Sequence, residues 1–171
     1  MSKKIASGAN KIVLEVTVGN GAFMKNIEDA KKLSETMINI GKLAGKETVC
    51  ILTNMDEPLG YSIGNTLEVI EAVEALQGDM EDDVKQVVLE LGSYMIKLAG
   101  KRDDIEDNKR RMIECIDSGS AYMKFLELIE NQGGDVLHES ISVNGSVFDY
   151  LYGSRMLVNS AHHQAVDMPG Q

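Results

Sequence analysis

The sequence contains no tryptophan, and only three phenylalanines and five tyrosines occur among its 171 residues. Aromatic rings on which nucleic-acid bases could stack are therefore scarce. Basic residues are also outnumbered, since 17 lysines and arginines stand against 27 aspartates and glutamates and leave a net charge of −10. This charge repels a phosphate backbone or an anionic lipid surface. The sequence therefore argues against nucleic acid and against a membrane as partners.

Cysteine is rare, and long apolar runs are missing. Cys50 and Cys115 lie in apolar contexts, which predicts reduced core residues of a cytosolic protein and not a disulfide framework. No run approaches the roughly 20 apolar residues of a membrane span. The first ten residues, MSKKIASGAN, are basic, but no apolar stretch typical of a signal peptide follows them. We therefore expect a cytoplasmic location.

The pattern of an α/β protein is present near the start of the chain. Ile12 to Val18 is a nearly continuous β-branched run, which is typical of a parallel strand buried on both faces. Asn26 can cap a following helix, and a second strand is predicted from Thr48 to Thr53. The predicted fold class is α/β, with a parallel β-α-β core, several further helices and a short β-type C-terminal tail.

The character of the sequence changes near residue 136. Before it, apolar residues recur at helical spacing in segments that end at Gly100, Gly119 and Gly133. After it, short strand-like runs and turns dominate. We predict one domain over residues 1–135 and a tail of different origin over residues 136–171, packed poorly on the first. The tail contains all three histidines of the chain, His138, His162 and His163.

The stretch from Leu52 to Leu76, LTNMDEPLGYSIGNTLEVIEAVEAL, joins a turn-rich loop to an amphipathic helix. The helix is predicted to open at Asn65 or Thr66, which are both good capping residues. Carbonyl oxygens of such a loop, together with a carboxylate one or two turns into the helix, can wrap a cation. The alternative is a solvated face of glutamates at helical spacing, formed by Glu68, Glu71 and Glu74.

A second glycine segment, Gly19-Asn20-Gly21, follows the first predicted strand. Backbone N–H groups at such a turn can bind a phosphate. A tight connection from strand to helix explains the same residues. The sequence favours the tight connection, because one short glycine pair is a weak phosphate signature.

Three segments carry a likeness to a known family. They are MSKKIASGANKIVLEVTVGNGAFMKNIEDA at the start, the stretch from Leu52 to Leu76, and ENQGGD at residues 130–135. Residues 1–135 resemble the pyrimidine-nucleoside and thymidine phosphorylases. The resemblance implies that inorganic phosphate cleaves a pyrimidine nucleoside to free base and pentose 1-phosphate. It also implies a homodimer in which a helical domain and an α/β domain close over the active site.

The resemblance assigns roles to four residues. Lys3, within MSKKIA, matches the lysine that binds the pyrimidine, and it is the one substrate-binding residue assigned. Leu59, Ser62 and Glu71 match ligands of a potassium ion, the first two through carbonyl oxygens and Glu71 through its carboxylate. The family's phosphate-binding loop, two base-binding residues and two further cation ligands would precede Met1. We therefore assign no catalytic residue and expect these 171 residues to be inactive alone.

Within the tail, VNSAHHQAVDMPG resembles a segment of class I glutamine amidotransferase-like hydrolases, the γ-glutamyl-γ-aminobutyrate hydrolase group. Two alternatives to a phosphorylase fragment therefore stay open. One is a non-catalytic α/β module that acts by association, and the other is a fragment of such a hydrolase. The hydrolase would need a nucleophile elbow at Cys50 or Cys115, and neither has the Gly-x-Cys-x-Gly context. His162-His163 is more typical of a polar loop than of a metal site.

Overall fold

The computed structural model describes residues 1–134 and the backbone of residues 140–141 and 155–156. The chain divides into two compact units, Met1–Gly119 and Ser120–Gln171. The predictions that concern the three histidines and most of the tail fall outside the described residues. The different origin of residues 1–135 and 136–171 stays a prediction.

The first unit contains every element on which the site depends. Its elements are α1 (Ser2–Ala6), β1 (Lys11–Val18), α2 (Ile27–Leu43), β2 (Glu47–Asn54), α3 (Asn65–Leu76), α4 (Asp82–Leu98) and α5 (Ile105–Asp117). The second unit contains α6 (Ser120–Asn131), β3 (Ser140–Ile141) and β4 (Arg155–Met156), and its two short strands pair antiparallel. None of the helices in the described part of the chain has the length and hydropathy of a membrane span.

The predicted β-α-β core is confirmed. Strands β1 and β2 are parallel, with Lys11 opposite Glu47 and Val18 opposite Asn54, and α2 connects them. Asn26 caps α2, since its side chain accepts a hydrogen bond of 2.9 Å from the backbone N–H of Asp29. The β-branched strand pattern and the capping residue in the sequence therefore predicted this β-α-β core.

Strand β1 is fully buried on one face and only partly on the other, so the prediction of a strand buried on both faces is wrong. Ile12, Leu14 and Val16 are buried, whereas Lys11 and Glu15 on the opposite face of β1 are exposed. Polar pairs between the strands explain why that face tolerates water. Lys11 forms an ion pair with Glu47, and the hydroxyl of Thr53 donates to Glu15 at 2.7 Å.

Helix α2 packs on the buried face of the sheet through its smallest residues. Ala30, Ser34 and Gly41 are its buried positions, while the larger Leu33 and Ile40 are more than a third exposed. Small side chains allow the helix backbone to come close to the strands. The thiol of Cys50 on β2 accordingly reaches the carbonyl oxygen of Ser34 at 3.7 Å.

The two cysteines differ in their surroundings. Cys50 is half-buried, and burial raises the pKa of its thiol, against the opposing effect of its hydrogen bond to Ser34. Cys115 on α5 is exposed, so the prediction that both are core residues is wrong for this one. An apolar sequence context therefore did not suffice to predict burial at Cys115.

Helices α4 and α5 pack against each other around a buried amide. Asn108 on α5 is fully buried, and its Nδ2 donates to the carbonyl oxygens of Ser93 at 3.2 Å and of Arg102 at 3.4 Å. An ion pair between Lys109 and Glu90 also joins the two helices. Since α4 contacts both strands as well, it connects the helical hairpin to the sheet.

The close approach of α2 to the sheet leads to a stability prediction. A Cβ at Gly41 would overlap the hydroxyl of Thr48, whose β-branched side chain has little freedom to move. Overpacking of this kind costs about 1–3 kcal/mol. We expect Gly41→Ala to lower the free energy of unfolding, measured by denaturant titration.

Gly92→Ala on α4 is the matched control. The Cβ would there meet only the flexible end of Met112, which can turn away. In a helix interior, alanine is also about 1 kcal/mol more favourable than glycine. Gly92→Ala should therefore be neutral or stabilising. Equal effects of the two substitutions would contradict the close packing of α2.

Candidate functional site

The loop between β2 and α3 begins at the carboxyl end of the parallel sheet, where open α/β sheets bind their ligands. We call residues 58–64 of this connection the cradle loop. Three acidic side chains from α3 and α4 hold its backbone. The N–H groups that donate to them are those of Gly60, Tyr61, Ser62 and Gly64.

Glu71 lies at the centre of this arrangement. Its Oε1 accepts hydrogen bonds from the N–H groups of Tyr61 at 2.8 Å and Ser62 at 3.2 Å. Gly60 adopts a φ of +66°, and a Cβ at that position would lie 2.5 Å from Oε2 of Glu71. The loop can therefore enclose this carboxylate only because residue 60 is glycine.

Two further carboxylates hold the ends of the cradle loop. Oε1 of Glu68 accepts from the N–H of Gly64 at 3.0 Å, and Oδ2 of Asp83 accepts from the N–H of Gly60 at 2.9 Å. Helix α3 begins at Asn65 as expected, but its cap is Gly64 and no side chain there accepts the first N–H groups. Glu68 satisfies one of these end groups from inside the helix.

Contacts with the loop distinguish members of the glutamate series. Glu68 and Glu71 are both bound to loop N–H groups, but Glu71 is half-buried, whereas Glu68 and Glu74 are exposed. Each interpretation therefore describes part of the series, since two of its members face solvent and two bind the loop.

The residues present fit the donor set of a hard cation. Oε1 of Glu71 accepts from two N–H groups, while Oε2 lies beside Gly60. Leu59 precedes Gly60 in the chain, and Ser62 follows it by two residues. A carboxylate with backbone carbonyls gives the all-oxygen shell that such ions prefer. Within residues 1–134, no group of three or more His, Cys, Asp or Glu side chains could hold a metal ion. Convergence of the carbonyls of Leu59 and Ser62 stays a prediction.

Lys3 stands apart from these residues. It lies on α1 and is exposed, as is the adjacent Lys4. None of the ion pairs in the described part of the chain involves Lys3. Helix α1 precedes β1 at the amino end of the sheet, whereas the cradle loop follows β2 at the other end. The structure therefore places no direct bond between this lysine and the predicted cation ligands.

The turn after β1 is filled by protein contacts. The N–H groups of Gly19, Asn20 and Gly21 donate to the carbonyl oxygen of Met24, to the carboxylate of Asp56 and to the carbonyl oxygen of Met55, at 2.9, 2.8 and 2.8 Å. Since all three donors are engaged, a phosphate cradle at this turn is not supported. The expectation of a tight connection agrees with this geometry.

The α/β architecture is shared with a known family of proteins. The family model described as "Glycosyl transferase family, a/b domain" matches residues 1–122. The chain belongs to this glycosyl transferase family.

Two relatives of the chain share a name. "Pyrimidine-nucleoside phosphorylase" of Staphylococcus aureus (strain bovine RF122 / ET3-1) is 50% identical over 135 residues, which are 79% of this chain and 31% of the relative. The protein of the same name from Staphylococcus haemolyticus (strain JCSC1435) is 48% identical over 136 residues, or 80% of this chain and 31% of that one. The resemblance over residues 1–135 is thereby confirmed. The glycosyl transferase chain spans about a third of the length of these curated relatives.

Asp83 is the residue that sequence reasoning missed. Its bond to Gly60 joins positions 23 residues apart, and no local pattern indicates such a contact. The available signal was the acidic pair at the start of α4, Asp82 and Asp83, which is typical of a helix N-terminus and explained by the helix dipole. One carboxylate of this pair therefore has a second role that only the fold reveals.

The enclosure of Glu71 leads to a prediction for Gly60. A side chain at positive φ costs about 1 kcal/mol, and at this position it also displaces the carboxylate of Glu71. We expect Gly60→Ala to remove the bonds to Tyr61 and Ser62 as well, for a total loss of about 2–4 kcal/mol of unfolding free energy. Chemical denaturation measures this loss.

Gly100→Ala is the control, because Gly100 has a φ of +69° and no atom within 4 Å of an added Cβ. It isolates the backbone cost that both substitutions share. A Gly60→Ala variant no less stable than Gly100→Ala would show that Glu71 is not held as described.

Proposed function

We propose that this chain is a segment of a pyrimidine-nucleoside phosphorylase, an enzyme that uses inorganic phosphate to split a pyrimidine nucleoside into free base and pentose 1-phosphate. The observation that carries this proposal is the 50% identity over 135 residues to a protein of that name. The chain supplies part of the α/β domain, with a cation-binding loop and a base-binding lysine. The complete enzyme acts in the cytoplasm as a homodimer, without nucleic acid or membrane as a partner.

The proposed cation is potassium, and Leu59, Ser62 and Glu71 would hold it. When bound, the ion supplies a positive charge that attracts the oxygen atoms of the cradle loop. The chain's own contribution is the position of the carboxylate, which the N–H groups of Tyr61 and Ser62 fix at 2.8 and 3.2 Å. A ligand that is already fixed loses little conformational entropy when the ion binds.

Lys3 acts on the base in this proposal. Negative charge develops on the pyrimidine as the glycosidic bond breaks, and an ammonium group near the base carbonyls stabilises that charge. The exposure of Lys3 and the absence of an ion pair to it in the described part of the chain support this role, because its charge is not committed to a carboxylate.

A second candidate is a non-catalytic α/β module that acts by association. It would keep the parallel β-α-β core of the family without its activity. The two candidates differ in whether this segment supports turnover when the rest of a phosphorylase is supplied. That difference can be measured directly.

A chimaera tests the proposal. The aligned 135 residues of the S. aureus relative are replaced by those of this chain, and phosphate-dependent release of uracil from uridine is followed. We expect an active enzyme. Lys3→Ala in the chimaera should lower kcat by about 10²-fold, since removal of one donor to a developing charge has effects of this size.

Lys4→Ala is the matched control, because Lys4 is the next residue on the same helix and is equally exposed. It should leave kcat unchanged. A folded but inactive chimaera would favour the association module, and equal losses from the two lysine substitutions would remove Lys3 from the base site. The isolated chain is expected to release no uracil. Release by it would contradict the expectation that the phosphate-binding loop lies outside these residues.

A further inference from the structure

The orientation of a peptide group in the cradle loop is controlled from outside the loop. All peptide bonds in the described part of the chain are trans. In a planar trans peptide, the N–H and the C=O point in opposite directions. The N–H of Gly60 belongs to the same peptide group as the carbonyl of Leu59. Since this N–H donates to Oδ2 of Asp83 at 2.9 Å, the Leu59 carbonyl oxygen must point away from Asp83.

Asp83 is itself held in place by the framework. Its second oxygen, Oδ1, accepts from the N–H of Val84 at 2.7 Å. It is the second residue of α4, where the helix dipole favours a carboxylate. Because α4 packs on both strands of the sheet, the position of Asp83 relative to the loop is set by the core of the unit and not by the loop.

The neighbouring peptide groups are held by a different residue. Glu71 binds the N–H groups of Tyr61 and Ser62, and so fixes the two peptide groups that follow Gly60. The carbonyl of Leu59 is not part of either group. Among the described hydrogen bonds, that of Asp83 alone acts on the peptide group that carries it.

We infer that Asp83 is a positioning residue for the cation, which acts by directing the carbonyl oxygen of Leu59. The inference rests on the proposed function, because it assumes that Leu59 is a potassium ligand. Asp83 does not itself bind the ion in this assignment. It joins the cation loop to α4, so that the geometry of one ligand depends on a helix outside the loop.

The test is a potassium titration of the purified chimaera, which also supplies the two further cation ligands that the family likeness implies. The protein is labelled with ¹³C and ¹⁵N, and KCl replaces choline chloride at constant ionic strength. The chemical shifts of the Leu59 carbonyl carbon and the Gly60 amide then report binding at the loop itself. We expect Asp83→Ala to weaken potassium binding about tenfold, the equivalent of one hydrogen bond to a charged group.

Two further variants separate positioning from charge and from stability. Asp82→Ala removes a carboxylate from the same turn of α4, and Asp82 has no hydrogen bond to the loop among those described; it should leave binding unchanged. Asp83→Asn keeps an oxygen that can accept from Gly60, so its affinity should fall between those of the parent and Asp83→Ala. Unfolding in choline chloride shows whether each variant is folded before potassium is added.

Three results would contradict the role of Asp83 or the cation site on which it depends. The positioning role would be removed if Asp83→Ala bound potassium as tightly as the parent, or if Asp82→Ala weakened binding as much as Asp83→Ala does. Asp83→Asn no better than Asp83→Ala would assign the loss to charge alone. A parent chimaera whose Leu59 and Gly60 signals do not respond to potassium would overturn the cation site of the proposed function, together with this inference.

Discussion

The need to pair backbone N–H groups determines how the loop at the carboxyl end of the sheet is built. Four N–H groups of the cradle loop, those of Gly60, Tyr61, Ser62 and Gly64, donate to side chains outside the loop. Carboxylates from α3 and α4 supply the missing acceptors. The acidic composition of this region thus has a structural cause. Carboxylates are stronger acceptors than neutral groups, and each can reach a loop from a helix that is already fixed.

The same arrangement gives the loop a charge that a cation can balance. Glu71 is half-buried and close to neighbouring backbone, so its negative charge is less well solvated than that of the exposed Glu74. Hydrogen bonds to N–H groups stabilise this charge in part. In the proposed function, a bound monovalent ion balances the rest of this charge. Lys3 lies on another element, and its proposed role depends on the complete enzyme.

Features that depend on nearby residues could be predicted from the sequence. Asn26 caps α2, and Gly100 follows α4 with a positive φ. Both features depend only on residues close by in the sequence. Contacts between distant residues could not be predicted in the same way. The bond from Asp83 to Gly60 and the use of Ala30 and Gly41 as the contact face of α2 depend on how elements pack. The family likeness therefore supplied the proposed cation ligands, whereas the contact of Asp83 with their loop emerged only from the fold.

The turns that follow β1 and β2 are joined to each other by backbone. Gly21 donates to Met55, Asn20 donates to Asp56, and Met55 in turn donates to Val18. Neither turn can open without breaking bonds of the other, so the two form one cooperative unit of local unfolding. The cradle loop begins two residues beyond Asp56, so the same hydrogen bonds hold its start against the first turn. The carboxyl ends of the two strands are therefore joined beyond the sheet as well as within it.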